Sequence, residues 1–213
     1  METYSTMVRF FQEGGAFMYP ILLVFALGAA IAIERYLFLS RAKTGNSQLW
    51  AKLHPLIQAG KLQEAASLTA TSQTALARVL APGLQRARNG HKAEEVESLL
   101  EEGLMEAIPR FERRTHYLAT FANIATLLGL LGTIVGLIQA FIAVSQADPA
   151  EKADLLSSSI SVAMNTTAFG LIVAIPLLLI FTILQTKTNE IVDGLEVASL
   201  KFLNLIVARN GHG

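Results

Sequence analysis

Three intervals of this chain contain no Asp, Glu, Lys or Arg: Gly14 to Ile33, Thr115 to Ala147 and Leu155 to Thr186. A helix crossing a bilayer needs about 20 mainly apolar residues to cover roughly 30 Å of hydrocarbon, and each interval reaches that length. Buried helices of soluble domains seldom exceed about 15 residues. The pattern therefore predicts an all-α fold with three transmembrane helices. Charged residues make up 16% of the 213 residues, against about a quarter in soluble domains, so little charge is left once the spans are set aside. The formal net charge of zero gives no electrostatic reason to expect a nucleic-acid partner. With no cysteine in the chain, disulfides and thiolate metal sites are excluded.

The first interval differs from a cleavable signal peptide. Its basic start is reduced to Arg9, its apolar run is long, and Glu34-Arg35 follows where a small-residue cleavage site would stand. It is expected to be retained. The expected organisation is a short outer N-terminal segment (1–16), a first span (17–39), a cytoplasmic helical region (40–116), a second span (117–147), a short outer loop (148–154), a third span (155–186) and a cytoplasmic C-terminal helix and tail (187–213). Orientation is read from basic residues close to the span ends, Arg35, Arg41 and Lys43 on one side and Arg110, Arg113 and Arg114 on the other. These belong on the cytoplasmic face, which puts the N-terminus outside and the C-terminus inside. Val8, Phe10 and Phe11 are expected at the outer interface, with Tyr19 and Tyr36 near the two ends of the first span. Glu34 and Arg35 are expected to pair at its cytoplasmic edge.

The charged region reads as helices. Asn46 or Ser47 is expected to cap a helix through LWAKLHPLIQA, which Pro55 would kink or restart and Gly60 would stop. LQEAASLTA and TALARVLAPGLQRARNG follow, the second ending at Asn89-Gly90. From Lys92, an apolar stripe of Val96, Leu99, Leu100, Gly103 and Leu104 beside Glu94, Glu95, Glu101 and Glu102 predicts a helix that continues into the second span, with a kink at Pro109. The second and third spans are expected to form an antiparallel hairpin through Asp148-Pro149. Ile191, Leu195, Ala198, Phe202 and Leu205 recur at helical spacing, so the third span should run on into the cytoplasm as one rod.

Polar and small residues inside the spans concentrate in two stretches. GLLGTIVGLIQAF holds Gly129, Gly132, Thr133 and Gly136, and NTTAFGLIVAIP holds Asn165, Thr166, Thr167, Gly170 and Pro176. At 100° per residue, Thr126, Thr133 and Ala140 fall on one stripe of the second span, and Ile160, Met164, Thr167, Leu171 and Ala174 on one stripe of the third. Two largely apolar stripes with a threonine at one level suit a pore wall with a polar ring. The same residues also suit plain helix packing: a threonine often bonds its own preceding turn, asparagine bonds across helices, and glycines four apart bring helices close. Pro176 marks a kink or a freed carbonyl. His54, His91, His116 and His212 are scattered, all outside the three spans. No nucleophile stands at motif spacing from a base, and there is no phosphate loop or paired metal ligand, so neither an enzyme nor a bound cofactor is expected.

GLLGTIVGLIQAF followed by SISVAMNTTAFGLIVAIP closely resembles the paired core helices of the MotA/TolQ/ExbB proton-channel family. The first span, GGAFMYPILLVFALGAAIAIERYLFL, and the large first cytoplasmic block resemble the ExbB/TolQ branch, whereas MotA-type subunits have four spans. The resemblance covers nearly the whole chain. It implies an inner-membrane motor subunit that couples ion flow to work on the cell envelope or on outer-membrane transport. It further implies five copies in a helical bundle around a dimer of a single-span ExbD/TolR-like partner, with a TonB/TolA-like effector beyond. The partner's membrane aspartate would carry the ion. Thr133 matches the threonine of the GLLGT motif and Thr167 that of the TAxGL motif, so both are implied to line the ion pathway, with Asn165 and Thr166 beside them. Gly129, Gly132, Gly136, Gly170 and Pro176 are assigned to helix packing.

One position departs from the family pattern. Relatives of this branch commonly carry a glutamate five residues before the TAxGL threonine, and this chain has Val162 there. With no carboxylate or histidine near mid-span, the chain should not move ions alone. Protons are the expected ion. Sodium is the alternative, because Thr166 and Thr167 form a pair of neutral oxygens that, with Thr133, suit a dehydrated sodium ion. A non-conducting membrane scaffold is the competing function.

Overall fold

The computed structural model describes residues 14–90 and 92–210. These residues form six helices: α1 (Met18–Gln58), α2 (Leu62–Thr71), α3 (Ala75–Arg88), α4 (Ala93–Glu112), α5 (His116–Gln146) and α6 (Lys152–Asn210). Val8, Phe10, Phe11, His91 and His212 lie outside the described residues. The fold is all-α among the described residues, and three helical stretches, within Met18–Gln58, Ala93–Gln146 and Lys152–Ala208, are long and apolar enough to cross a membrane. The chain divides into two units. One comprises Met1–Ile33 and Arg114–Ile183, the other Glu34–Arg113 and Leu184–Gly213. The first holds the apolar parts of α1, α5 and α6 and is called here the three-span unit; the second holds most of the charge.

In the charged unit α1 continues without a break through Asn46, where a new helix was expected to begin. No cap is needed there, because Leu49, Leu53 and Ile57 extend the buried face of the same helix. The Asn46 side chain serves another helix instead, its Oδ1 accepting the Leu76 amide at 3.1 Å in the first turn of α3. Thr74 is the local cap, accepting the Ala77 amide at 3.2 Å. Pro55 lies within α1. Gly60 ends the helix in the left-handed conformation (φ +72°), with the Lys61 amide reaching the Leu56 carbonyl at 2.9 Å and the Gly60 amide the Ile57 carbonyl at 3.0 Å. That pairing is the glycine-terminated stop that satisfies the last carbonyls of a helix.

Packing in this unit rests on small residues under large ones. A methyl on Gly103 of α4 would lie 3.0 Å from the Val79 Cα of α3, and one on Gly83 would lie 3.3 Å from the Phe202 ring. Phe202 is fully buried, and Ile191, Leu195, Ala198 and Ile206 continue its stripe along α6; Leu205 is only half-buried. On the surface, Lys43 pairs with Glu190 at 2.6 Å. The Lys43 hydrogen bond and charge hold the Glu190 carboxyl below its ordinary range. Lys187 reaches the Ser40 hydroxyl at 2.9 Å and stands 3.8 Å from the centre of the Tyr36 ring.

The junction after α4 also departs from expectation. The helix does not run through a kink at Pro109 into the second span; it ends at Glu112, and α5 starts at His116 after a turn in which Arg114 takes a left-handed conformation (φ 68°). The last carbonyls of α4 are claimed from outside the helix. Arg35, a buried guanidinium with 3% exposure, donates to the Phe111 carbonyl and reaches the Arg110 carbonyl at 3.5 Å. Thr188 of α6 donates to Phe111 as well, at 3.3 Å, and the Phe38 ring centre lies 4.9 Å from the guanidinium. A helix C-terminus leaves carbonyls unsatisfied and carries partial negative charge, so a cation is favourable there. Glu34, the neighbour expected to pair with Arg35, is exposed. Arg35→Met keeps much of the volume and removes the donors. It should lower the stability of the detergent-solubilised protein by about 1.5–3 kcal/mol, seen as a lower thermal midpoint. An unchanged midpoint would refute the structural role given to Arg35.

Candidate ion path in the three-span unit

The face of α5 that packs within the unit is built from small residues at helical spacing: Ala122, Ala125, Gly129, Gly132 and Ala140 are buried along it. α6 meets it with buried Ala163, Thr166, Gly170 and Ala174. The approach is close enough to be backbone against backbone. A methyl on Gly170 would lie 2.7 Å from the Ala125 carbonyl oxygen and 3.1 Å from the Gly129 Cα, and one on Gly129 would lie 3.2 Å from the Thr167 Cα. Further along, a methyl on Gly136 would lie 3.1 Å from the Ala163 Cβ, and one on Gly132 would collide with the Thr166 Cγ2 methyl. α1 joins the bundle through Gly28, where a methyl would meet Leu177 of α6 at 2.7 Å.

The hydroxyls named from the sequence sort by what they bond. Thr167 donates across the seam to the Gly129 carbonyl at 2.9 Å. In a regular α-helix that carbonyl also accepts the amide of Thr133, four residues on. Thr133, half-buried, donates to its own Leu130 carbonyl at 2.6 Å, and Thr126 donates to Ala122 at 3.1 Å. Thr167 and Thr133 thus stand one helical turn apart on the same seam. Thr166 is buried, with 2% exposure; its methyl packs against Gly132 of α5, while its hydroxyl bonds the Gly14 carbonyl at 2.6 Å, with Val162 as a second acceptor at 3.0 Å. Asn165 is half-buried and, two residues before Thr167, lies about 200° around α6 from it. The seam therefore brings Thr133 and Thr167 together, turns the Thr166 hydroxyl away from both and leaves Asn165 on another flank of α6. Val162 packs near Gly15, which is left-handed (φ +75°). Pro176 lies exposed within α6.

Asn123 is not among the residues singled out from the sequence. It is exposed on α5 and, at spacings of three and ten residues, shares the face of Thr126 and Thr133. The signal was available, an amide inside a charge-free run. An amide left in hydrocarbon with no partner costs roughly 2–7 kcal/mol, so such residues normally face water or another polar group. No group of three or more His, Cys, Asp or Glu side chains placed to hold a metal ion occurs among the described residues.

Residues 71–197, which include the α5–α6 seam, match the model of the MotA/TolQ/ExbB proton channel family. The chain belongs to that family. A putative biopolymer transport protein, ExbB-like 1, of Synechocystis sp. is 32% identical over 191 residues, 86% of this chain and 72% of the relative. A putative ExbB homolog of Methanothermobacter thermautotrophicus is 26% identical over 91% of this chain and 68% of its own length. The Tol-Pal system protein TolQ of Haemophilus influenzae is 34% identical over 109 residues, 51% of this chain and 42% of the relative. Within the MotA/TolQ/ExbB family this protein is of the ExbB/TolQ branch, a multi-pass inner-membrane subunit of the energy-transducing kind. The family is one of channels and transport subunits rather than of enzymes.

The seam geometry separates two kinds of substitution. Gly170→Ala forces α5 and α6 apart and should destabilise the three-span unit by about 1–3 kcal/mol. Thr167→Val removes one interhelical hydrogen bond and should destabilise it by about 0.6–1.7 kcal/mol. Parallel unfolding titrations in detergent micelles check the order, and a larger loss from Thr167→Val than from Gly170→Ala would contradict it.

Proposed function

We propose that this chain is the pore-forming, stator-like subunit of a proton-driven inner-membrane motor, and that its ion path runs along the side of the α5–α6 seam that carries Thr133 and Thr167. The observation that carries the reading is the Thr167 hydroxyl bonded to the Gly129 carbonyl, one turn from the half-buried Thr133 hydroxyl, in a chain with no acid or base from Tyr117 to Ala147 or from Leu155 to Thr186. Thr166, seated on Gly14, shapes the wall from behind, and Asn165 borders it on the far flank of α6.

The chemistry of the hydroxyls sets what such a wall can hold. A threonine hydroxyl has one proton to donate and two lone pairs. With the proton given to a backbone carbonyl, as at Thr133 and Thr167, the oxygen is left to accept. It can take a hydrogen bond from water or from a protonated carboxylic acid, but it cannot donate to a carboxylate unless its carbonyl bond breaks. The wall therefore favours the protonated form of an acid brought to it. That acid comes from a single-span ExbD/TolR-like partner carrying a membrane aspartate. Five copies of this chain enclose a dimer of that partner, with the N-terminus outside and residues 40–116 in the cytoplasm. A TonB/TolA-like effector would deliver the work to the envelope or to outer-membrane transport.

The same lone pairs suit a sodium ion, and a sodium-driven motor of this architecture is the second reading. It is favoured by Val162 standing where branch relatives carry a glutamate, with Thr133 and Thr167 rather than the Thr166-Thr167 pair as the candidate oxygens, because the Thr166 hydroxyl is engaged with Gly14.

The test is reconstitution in liposomes with and without the partner. Ion-driven flux should require both chains. Thr133→Val and Thr167→Val, nearly isosteric changes, should each lower it about ten-fold or more while leaving assembly intact, a loss equivalent to about 1.4 kcal/mol at the rate-limiting step. Strong selective flux from this chain alone, or full flux from both valine variants, would refute the motor in favour of a scaffold. Replacing sodium with choline should leave the flux unchanged if protons are carried. Under the sodium reading the flux should stop.

A further inference from the structure

An ion that reaches the threonine level from the His116 end of α5 must first pass the opening turns of that helix. Asn123, Thr126 and Thr133 occupy one face of that helix, with Leu130 between the last two. Thr126 and Thr133 give their protons to their own helix. Asn123 differs: its side chain makes no hydrogen bond among the described residues and is exposed. It lies about 15 Å along the helix axis from Thr133, so with Thr133 near mid-membrane it sits just inside the hydrocarbon boundary. Its neighbours at that depth, Ile124 about 100° round the helix and Leu127 one turn further on beside it, are exposed and apolar. The amide is thus the one strongly polar group on a helix surface that otherwise suits lipid at this level. It is aligned with the face that carries the proposed path.

We propose that Asn123, with Thr126 one turn further on, lines a water-filled inner mouth of the ion route, closed toward Thr133 by Leu130. This rests on the ion-path reading above. The amide offers two donors and an acceptor and holds water where a bare helix face would shed it. Leu130, 53% exposed on the same face, interrupts the polar line before Thr133, so water enters as far as Thr126 and the ion passes the leucine only on the partner's acid.

The chain has no native cysteine, which makes a single-cysteine experiment clean. Asn123→Cys, Thr126→Cys and Ile124→Cys are each made in the full assembly with its partner. They are exposed in membrane vesicles to a membrane-impermeant sulfonated methanethiosulfonate added on the His116 side, and labelling of this chain is followed. Asn123→Cys and Thr126→Cys should react about ten-fold faster than Ile124→Cys, because the reactive thiolate forms only where the thiol is hydrated. Equal rates at 123 and 124 would overturn the proposal, whether both are slow, as for an amide packed against another copy, or both fast, as for simple nearness to the interface. In flux measurements Asn123→Leu should lower ion-driven transport several-fold and Asn123→Ser should restore most of it. Full flux in Asn123→Leu, with Thr133→Val still inactive, would remove the inner mouth alone. Full flux in Thr133→Val would remove the ion path itself.

Discussion

The backbone contact between Gly129 and Gly170 is the constraint on which the three-span unit depends. Lipid chains are as apolar as leucine, so helices in a bilayer gain little by hiding apolar side chains from one another and associate through close packing and interhelical hydrogen bonds. Here α5 and α6 approach until an added methyl would touch main-chain atoms. That approach puts the Thr167 hydroxyl within reach of the Gly129 carbonyl. The causal order matters, because such a bond is worth only about 0.6–1.7 kcal/mol in a membrane. It cannot hold two helices in register against poor packing. The glycines set the level at which the two threonines meet, and the hydrogen bond reports that level.

In the charged unit the corresponding choice is between a buried cation and exposed ion pairs. Lys43–Glu190 is short, at 2.6 Å, but both side chains are about half exposed, and pairs of that kind contribute about 0–1 kcal/mol. Arg35 is buried and bonded to carbonyls at the end of α4, where removing a charged donor leaves acceptors unsatisfied. Arg35 is therefore the stronger determinant of where α4 stops. Thr188, on the same Phe111 carbonyl, ties the α6 portion of that unit to the same helix end, so one backbone oxygen serves α1, α4 and α6 at once.

The parts legible in the sequence were those carried by composition and period. Charge-free runs gave the three apolar helices, and the spacing of Ile191, Leu195, Ala198 and Phe202 gave a buried face on α6. The parts that escaped depend on contacts remote in sequence. Asn46 has the chemistry of a local cap, yet it caps a helix that begins 29 residues later at Ala75. Pro109 was expected to kink a helix running on into the second span, whereas the helix ends at Glu112, where Arg35 and Thr188 hold the Phe111 carbonyl, contacts that no local rule connects to it. Within the candidate path, Thr166 and Thr167 are adjacent and chemically identical, but a helix sends neighbouring side chains about 100° apart. One therefore meets Gly14 and the other Gly129. Asn123 is the opposite case: its type, an amide inside a charge-free run, was legible, and what the sequence leaves out is that its side chain is exposed on α5 beside Thr126.

The weakness of the threonine contacts bears on what the proposed motor can do. A wall that gripped its ion or its partner's acid strongly would stall, since each step must break the contacts that the previous step made. One elementary charge crossing a potential of 100 mV releases about 2.3 kcal/mol, and a neutral hydrogen bond contributes about 0.5–1.5 kcal/mol net. A handful of hydroxyl contacts per subunit stays within reach of that drive, whereas a buried carboxylate paired with a guanidinium, at about 3–5 kcal/mol to break, would not. Placing neutral oxygens on the wall and leaving the titrating group to another chain is consistent with both demands: the wall seals and discriminates, and the moving acid can still let go. The buried arginine of this chain sits outside that wall, at the end of α4 in the charged unit, where a strong and permanent contact is what a helix terminus requires.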